Sequence, residues 1–436
     1  MIKKILPCII LAMLAMIVLL SAGCIGGDYV ANRDIVIIRL GPDGATEWTR
    51  SIDTGYDDSA SDFIQTADGG FLIGAQNTSG RYGPSHSRLL RLSADGQDLR
   101  VYPLAQNYGE LTSLIQTRDG GFAAIAREGE VIRAGPFGTL LWETSTGLTS
   151  AMTILETAGG SIAVAGVQQD SIPFGQVPVY DQNGTVSSRP PLPGEVQVTP
   201  GCHETHIPAG DRQIAVTECT VPVDLIQQAA VVVLDAGGNL SWKKSYGATG
   251  TTSAWSMKEA PDGKGFLVVG FETLRNEGVN RTNYIVALDL ERNGTVLHAT
   301  RFDRIEYFTA AHIRTAPGGY DILYTNTTIE DGHYANRPAQ VHFDAGTGNV
   351  TFNHLLDSGV VVTWTGDGGY FTAGFDGYSE DVYARSDTHR LHAVYLNPDG
   401  SRAWDREIPG VTVNYIEKVI QTSDGGYAIL ALKENY

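Results

Sequence analysis

The chain has 436 residues, a formal net charge of −18 and a pI near 4.9. That balance argues against nucleic acid as a partner, because phosphate neutralisation needs a clustered Lys/Arg surface and no such cluster occurs. The length admits two or three average domains, or one closed all-β repeat array.

At the N-terminus, Lys3 and Lys4 precede an apolar run from Ile5 to Leu20, followed by Ser21-Ala22-Gly23-Cys24. The pattern reads as a secretory signal whose apolar run falls short of the ~20 residues a permanent span needs. It resembles a lipoprotein signal, in which the Cys after the small residues is lipidated and becomes the new N-terminus; Ser21 stands where that pattern usually has Leu. The resemblance implies a signal peptide over 1–23, a short tether over 24–34, and a single domain over 35–436 held at the outer face of the cell membrane by a lipid on Cys24.

The first structured segment is a hairpin: Ile35-Val-Ile-Ile-Arg-Leu, the turn Gly41-Pro-Asp-Gly44, then Ala45-Thr-Glu-Trp48. The pattern returns as Val231 to Trp242 and Val394 to Trp404. A second phrase follows: Ile64-Gln-Thr-Ala-Asp-Gly-Gly-Phe71, repeated as Ile115 to Phe122 and Ile420 to Tyr427, with weaker copies at Leu155, Lys258, Ile313 and Thr363. Each phrase is a strand, a tight Gly-containing turn and a second strand. The repeat period of about 50 residues belongs to propeller blades rather than helical repeats.

The expected fold is therefore an all-β propeller of eight four-stranded blades, the eighth unit being the degenerate segment from Cys202 to Cys219; seven blades is the alternative, with the unit carrying Pro190, Pro191 and Pro193 expelled. Trp48, Trp142, Trp242 and Trp404 each lie four residues after a turn Gly, and Phe352 holds the same phase. Arg100, Ser188 and His298 stand there in the units lacking Trp. These rings are expected to wedge between blades. The chain starts on the second hairpin of a unit and ends on the first, so the termini should complete one composite blade and leave no free sheet edge.

Cys202 and Cys219 flank a turn between Pro208 and Arg212, and folding about Gly210 or Asp211 sets them opposite each other, within disulfide range. Export would favour oxidation. His203 and His206, three apart on a strand, point to opposite faces and do not share a metal. Seven of the 16 Asn residues lie in N-x-S/T sequons: Asn77, Asn183, Asn239, Asn280, Asn293, Asn326 and Asn349. They are glycosylation candidates, although Asn183, Asn239, Asn293 and Asn349 fall at turns where Asn is expected in any case.

The x-Q-T-x-D-G-G-[FY] phrase followed by a D-x-[GN]-G-x-x-x-W hairpin resembles the repeat of surface propeller proteins of methanogenic archaea. More distantly it is similar to quinoprotein-type eight-bladed propellers, including the lipoprotein scaffold of bacterial outer-membrane assembly. The resemblance implies the fold; the ring-clamping and calcium-binding residues of quinoproteins have no match, so no cofactor and no metal is expected.

No nucleophile elbow, H-E-x-x-H helix, P-loop or dinucleotide-binding turn is present. In each Asp-Gly turn (Asp68, Asp119, Asp262, Asp367, Asp424) a single carboxylate is too few for calcium. The connections between hairpins and between blades vary more than the hairpin turns: Gln76 to Ser87, Glu272 to Asn283, Asn326 to Ala339 and Phe375 to Arg390 within units, and Ser51 to Ala60, Pro103 to Thr112 and Glu407 to Asn414 between them. Binding usually lives on such loops. Tyr56, Asp57, Asp58, Tyr108, Tyr246, Tyr307 and Tyr378 are the candidate binding-face residues. The expected function is a binding module for an envelope or extracellular protein or glycan. The alternatives are a polysaccharide hydrolase or lyase using channel-mouth carboxylates among Asp57, Asp58, Glu110, Asp303 and Glu306, and an envelope-assembly scaffold.

Overall fold

The computed structural model describes residues 32–78, 85–104, 108–171, 225–247, 251–275, 281–305, 307–330, 333–356, 361–375 and 390–435, together with the backbone of four short strands between 179 and 219. Seven four-stranded antiparallel sheets form in chain order. Blade 1 comprises Asp57–Gln65, Phe71–Thr78, Ser85–Leu92 and Leu99–Pro103, and blade 2 Leu111–Gln116, Phe122–Ala126, Glu130–Ala134 and Leu140–Ser145. Blade 3 takes Ser150–Glu156, Ile162–Ser171, Leu225–Leu234 and Leu240–Tyr246; blade 4 takes Thr251–Glu259, Gly265–Arg275, Arg281–Glu291 and Val296–Ile305. Blade 5 is Tyr307–Ala316, Gly319–Glu330, His333–Asp344 and Val350–Leu355, and blade 6 is Val361–Trp364, Tyr370–Phe375, Leu391–Leu396 and Arg402–Glu407. Blade 7 is composite: Tyr415–Gln421 and Tyr427–Asn435 from the C-terminal end, then Asn32–Leu40 and Thr46–Ile52 from the N-terminal end, joined along the ladder from Asn32 opposite Asn435 to Leu40 opposite Tyr427.

Seven blades, not eight, close this ring. The fourth sequence unit sits between the second and third strands of blade 3 and forms two separate two-stranded sheets, Val179–Tyr180 with Val186–Ser187 and Cys202–Ala209 with Arg212–Cys219. A central blade strand is covered on both faces and reads as a continuous apolar run, as in the fully buried Phe122–Ala126. Cys202-His-Glu-Thr-His-Ile-Pro-Ala209 has no such run, and Pro190, Pro191 and Pro193 lack the N–H a ladder requires.

Some expected loops are strand instead. The segment Asn326 to Ala339 belongs to two long strands that pair as far as Glu330 opposite His333, and Gln76, Ser87 and Glu272 also lie within strands.

The repeated phrase is a set of clasps, all at the hairpin-turn end of the blades. The Thr hydroxyl of each turn donates to the turn Asp, over 2.7 Å for Thr66 to Asp68, Thr117 to Asp119 and Thr422 to Asp424. That Asp pairs with an Arg on the third strand of its own blade: Arg91 with Asp68, Arg133 with Asp119, and Arg39 with Asp424. The same guanidinium donates to the carbonyl of the residue after Gly-Gly, 3.3 Å to Phe71, 3.1 Å to Phe122 and 3.1 Å to Tyr427. The second Gly is therefore obligatory for packing: a Cβ on Gly121 would lie 2.5 Å from the Arg133 guanidinium.

The Gln of the phrase reaches the neighbouring blade. Its side-chain oxygen accepts a backbone N–H from the preceding blade's turn: Gln116 from Ala67 and Gln65 from Ser423 at 2.7 Å, Gln421 from Gly366 at 2.6 Å. Glu156 and Glu259 do the same for Arg118 at 2.8 Å and Ala158 at 2.6 Å.

The aromatic wedges complete the junctions. Trp48, Trp142, Trp242 and Trp404 cover Gly96, Gly238, Gly294 and Gly44 in the turn of the next blade, and the Trp48 and Trp142 indoles donate to Ala94 and Ala236 carbonyls at 3.2 and 3.1 Å. His298 covers Gly348, while Tyr102, two residues beyond Arg100 on the same strand face, covers Gly138. Phe352, which shares the Trp phase, is 55 % exposed. Between blades 5 and 6 a different set takes over: Gln340 accepts from Trp364 at 3.1 Å and Tyr370 at 2.6 Å, with the Arg314 guanidinium 4.6 Å above the Trp364 ring.

Candidate functional site

Because the hairpin turns share one face, the opposite ends of the same strands share the other, from which the connections between hairpins and between blades depart. On that loop-rich face, the first strands carry a β-bulge at one recurring position in six blades. The residues skipped by the register are Ser61, Thr112, Met152, Trp255 and Glu417, with the sixth bulge between Phe308 and Ala311. A bulge re-aims side chains and increases twist, and here two of the skipped hydroxyls reach the next blade. Ser61 donates to Glu110 of blade 2's approach at 2.8 Å, and Thr112 donates to the Ala151 carbonyl of blade 3 at 2.9 Å.

On the same face lies a charged network spanning blades 7, 1 and 2. Arg33 pairs bidentately with Asp57 at 2.8 and 2.9 Å. Glu110 accepts from Arg127 at 2.7 Å. Asp62 accepts the Leu114 backbone N–H at 2.6 Å and pairs with Lys418. Glu417 is open to water, yet desolvation by its surroundings raises its pKa, with Arg33 opposing and Glu110 adding to the rise. On blade 5, burial brings His312 down to about 4, with Lys418 adding to the effect, so the imidazole is neutral at pH 7.

The sequence-nominated residues divide sharply. Tyr56 is 48 % exposed and remains a surface ring. Asp58 is 1 % exposed and accepts from the Thr54 backbone at 2.7 Å and hydroxyl at 2.6 Å, so it builds the loop. Tyr108 is buried and donates to Glu143, and Tyr246 is buried and donates to the Gly294 carbonyl at 2.9 Å. Both tyrosines are packing residues, not presented recognition rings. Asp303 accepts from Tyr324 at 2.6 Å. Tyr307 opens a strand of blade 5, while Tyr378 and Glu306 lie outside the described residues.

Of the sequons, Asn77 is corrected by burial. It is 3 % exposed and its amide donates to Thr54 at 3.1 Å, which leaves no room for a glycan. Asn239, Asn293 and Asn349 are exposed. Asn183, Asn280, the Asn326 side chain and Cys24 are outside the described residues. For the cysteines, the backbone register sets Cys202 opposite Cys219.

Sequence reasoning missed one feature of this face. Between blades 1 and 2 lies a groove of about 680 Å³ lined by Ser85, Tyr108, Gly109, Glu128, Glu130, Glu143, Thr144 and Ser145. At this groove the second and third strands of blade 2 are joined by the short connection Arg127-Glu128-Gly129, which brings Glu128 and Glu130 to its wall. Glu128 and Glu130 form no ion pair among the described residues, in contrast to the Asp residues of the turn clasps. Its chemistry suits a cationic group. Among the described residues, no group of three or more His, Cys, Asp or Glu side chains is arranged to hold a metal ion.

No protein-family model matches the chain, and no curated protein matches it. Among solved structures it is similar to the Dos1 propeller, at 13% identity over 85% of this chain and 91% of that one, with a TM-score of 0.43. It is also similar to BamB from Moraxella catarrhalis, at 11% identity over 86% of this chain and 99% of that one, with a TM-score of 0.38. The blade count and closure stand on this chain's own sheet pairing.

Proposed function

We propose that the protein is a lipid-anchored, cell-surface binding module whose loop-rich face engages an envelope or extracellular protein. One observation carries the reading. The polar residues of the repeat are consumed on the turn face by Thr–Asp–Arg and Gln clasps, whereas the opposite face keeps uncommitted Glu128 and Glu130 in a groove. Rigid scaffold on one side and variable chemistry on the other is how binding scaffolds divide labour. A basic segment of the partner fits that groove, and the exposed aromatic Tyr56 offers contact area on the same face.

The anchor adds an orientation. Residues 25–31 between Cys24 and the first strand can extend over at most about 30 Å. The chain enters blade 7 at Asn32, at the loop-rich end of that strand. A lipid on Cys24 therefore holds this face toward the membrane, and the partner lies in the space between. The resemblance of the repeat to methanogen surface propellers supports the surface location.

The test is photo-crosslinking on the anchored chain, with the crosslinker placed at Tyr56, at Glu128, or at Phe137 on the turn face. Adducts from Tyr56 and Glu128 but not Phe137 are expected. Adducts from Phe137 alone, or from none of the three, would overturn the reading.

A further inference from the structure

We infer that Asn239, Asn293 and Asn349 carry N-linked glycans, forming a covered arc on the turn face of blades 3, 4 and 5. The inference rests on export of the chain. Each Asn adjoins the positive-φ Gly of the turn between the third and fourth strands, Gly238, Gly294 and Gly348, on three successive blades. Each is exposed, as are the sequon hydroxyls of Ser241, Thr295 and Thr351 two residues on.

Their amide nitrogens are held only by surface hydrogen bonds, 3.0 Å from Asn239 to Asp235 and 3.2 Å from Asn293 to Glu291. In blade 4 the Thr295 backbone N–H also donates to Asn293 Oδ1 at 2.8 Å, which folds the sequon into a compact turn.

A second observation points to a cover at the same places. Large apolar side chains lie within four residues of these asparagines and stand open to water: Leu240 at 61 %, Leu297 at 52 % and Phe352 at 55 %. Isolated exposed apolar residues are ordinary, but here one stands close to each of three exposed acceptor amides on successive blades. The sugar's apolar face would rest on them. Blade 2 carries comparable residues, Phe137, Leu140 and Leu141, with Thr139 where blades 3 and 5 have Asn; that edge stays bare.

The transfer uses a lipid-phosphate-linked glycosyl donor. The Asn Nδ2 bonds to the sugar C1, the C1–O bond to phosphate breaks with its electron pair leaving on phosphate, and the amide loses one proton. No oxidant or reductant enters.

The experiment exports the full chain from its own leader in an N-glycosylating host, with a flexible control sequon appended after Tyr436. The purified folded protein is mapped by glycopeptide mass spectrometry. Glycans on all three turn asparagines are expected, none on buried Asn77, and loss of three glycan masses in the N239Q/N293Q/N349Q variant. A glycosylated control beside three bare turn asparagines would overturn the inference with export intact. A bare control would show that the chain is not exported, and the inference would fall with that reading.

Discussion

Gly96→Ala in blade 1 tests whether the aromatic wedges hold the ring together. Gly96 has φ +72°, and a Cβ there would lie 2.9 Å from the Trp48 ring of blade 7. Gly69 in the same blade is a natural control: φ is +83°, but its nearest Cβ neighbour is Ala94 at an ordinary 3.5 Å. Both variants incur about 1–2 kcal/mol for placing an L-residue in the left-handed region. Gly96→Ala must in addition displace the indole from the blade 7 to blade 1 junction, an overpacking cost of ~1–3 kcal/mol. Guanidinium unfolding of each variant, with the same pair repeated in a Trp48→Ala background, closes a double-mutant cycle. The excess cost of Gly96→Ala should vanish once Trp48 is gone. Equal destabilisation by Gly69→Ala and Gly96→Ala in the native background would refute the role assigned to the wedge.

The turn carboxylates predict the acid limb of stability. The Thr117 hydroxyl, the Gly121 N–H and Arg133 hold Asp119 down to about 2, and Asp68, Asp367 and Asp424 are lowered by equivalent turn hydroxyls. Because the folded pKa lies below the unfolded value, their stabilisation is present above about pH 4 and lost as pH falls toward 2. Denaturant midpoints measured from pH 5 to pH 2.5 should fall steeply, and Asp119→Asn should flatten part of that slope. Gln116→Ala should cost about 0.5–1.5 kcal/mol by leaving the Ala67 N–H without its partner, whereas Gln116→Glu should be tolerated, since Glu156 and Glu259 already fill the role; denaturant unfolding separates the two. Unreduced peptide mapping should recover Cys202 and Cys219 as one linked pair, and Cys202→Ser should leave the main unfolding midpoint unmoved, because the hairpin lies outside every four-stranded sheet.

How much was legible follows the range of each interaction. The Gln-Thr-x-Asp-Gly-Gly phrase predicted its own turn because Thr, Asp and Gly act within five residues of one another. The role of its Gln was invisible: Gln65 meets Ser423, a partner 358 positions away. Tyr108 and Tyr246 looked like loop aromatics, and nothing local showed that their hydroxyls would be spent on Glu143 and on a neighbouring blade's turn. Asn77 read as a sequon like the others, and only the packing of the strand against Thr54 closed it.

By itself the sequence determined the four-stranded unit, the phase of the tryptophans and the composite blade from the two ends, since these depend on periodicity and on turn chemistry that a repeat writes out each time. Tertiary structure alone decided the number of blades and the character of the loop-rich face. Closing a ring is a global condition: each blade must find partners on the next, by an aromatic wedge on a turn or, between blades 5 and 6, by Gln340 and Trp364, and a unit whose strands cannot be buried on both faces is left out however well its spacing fits.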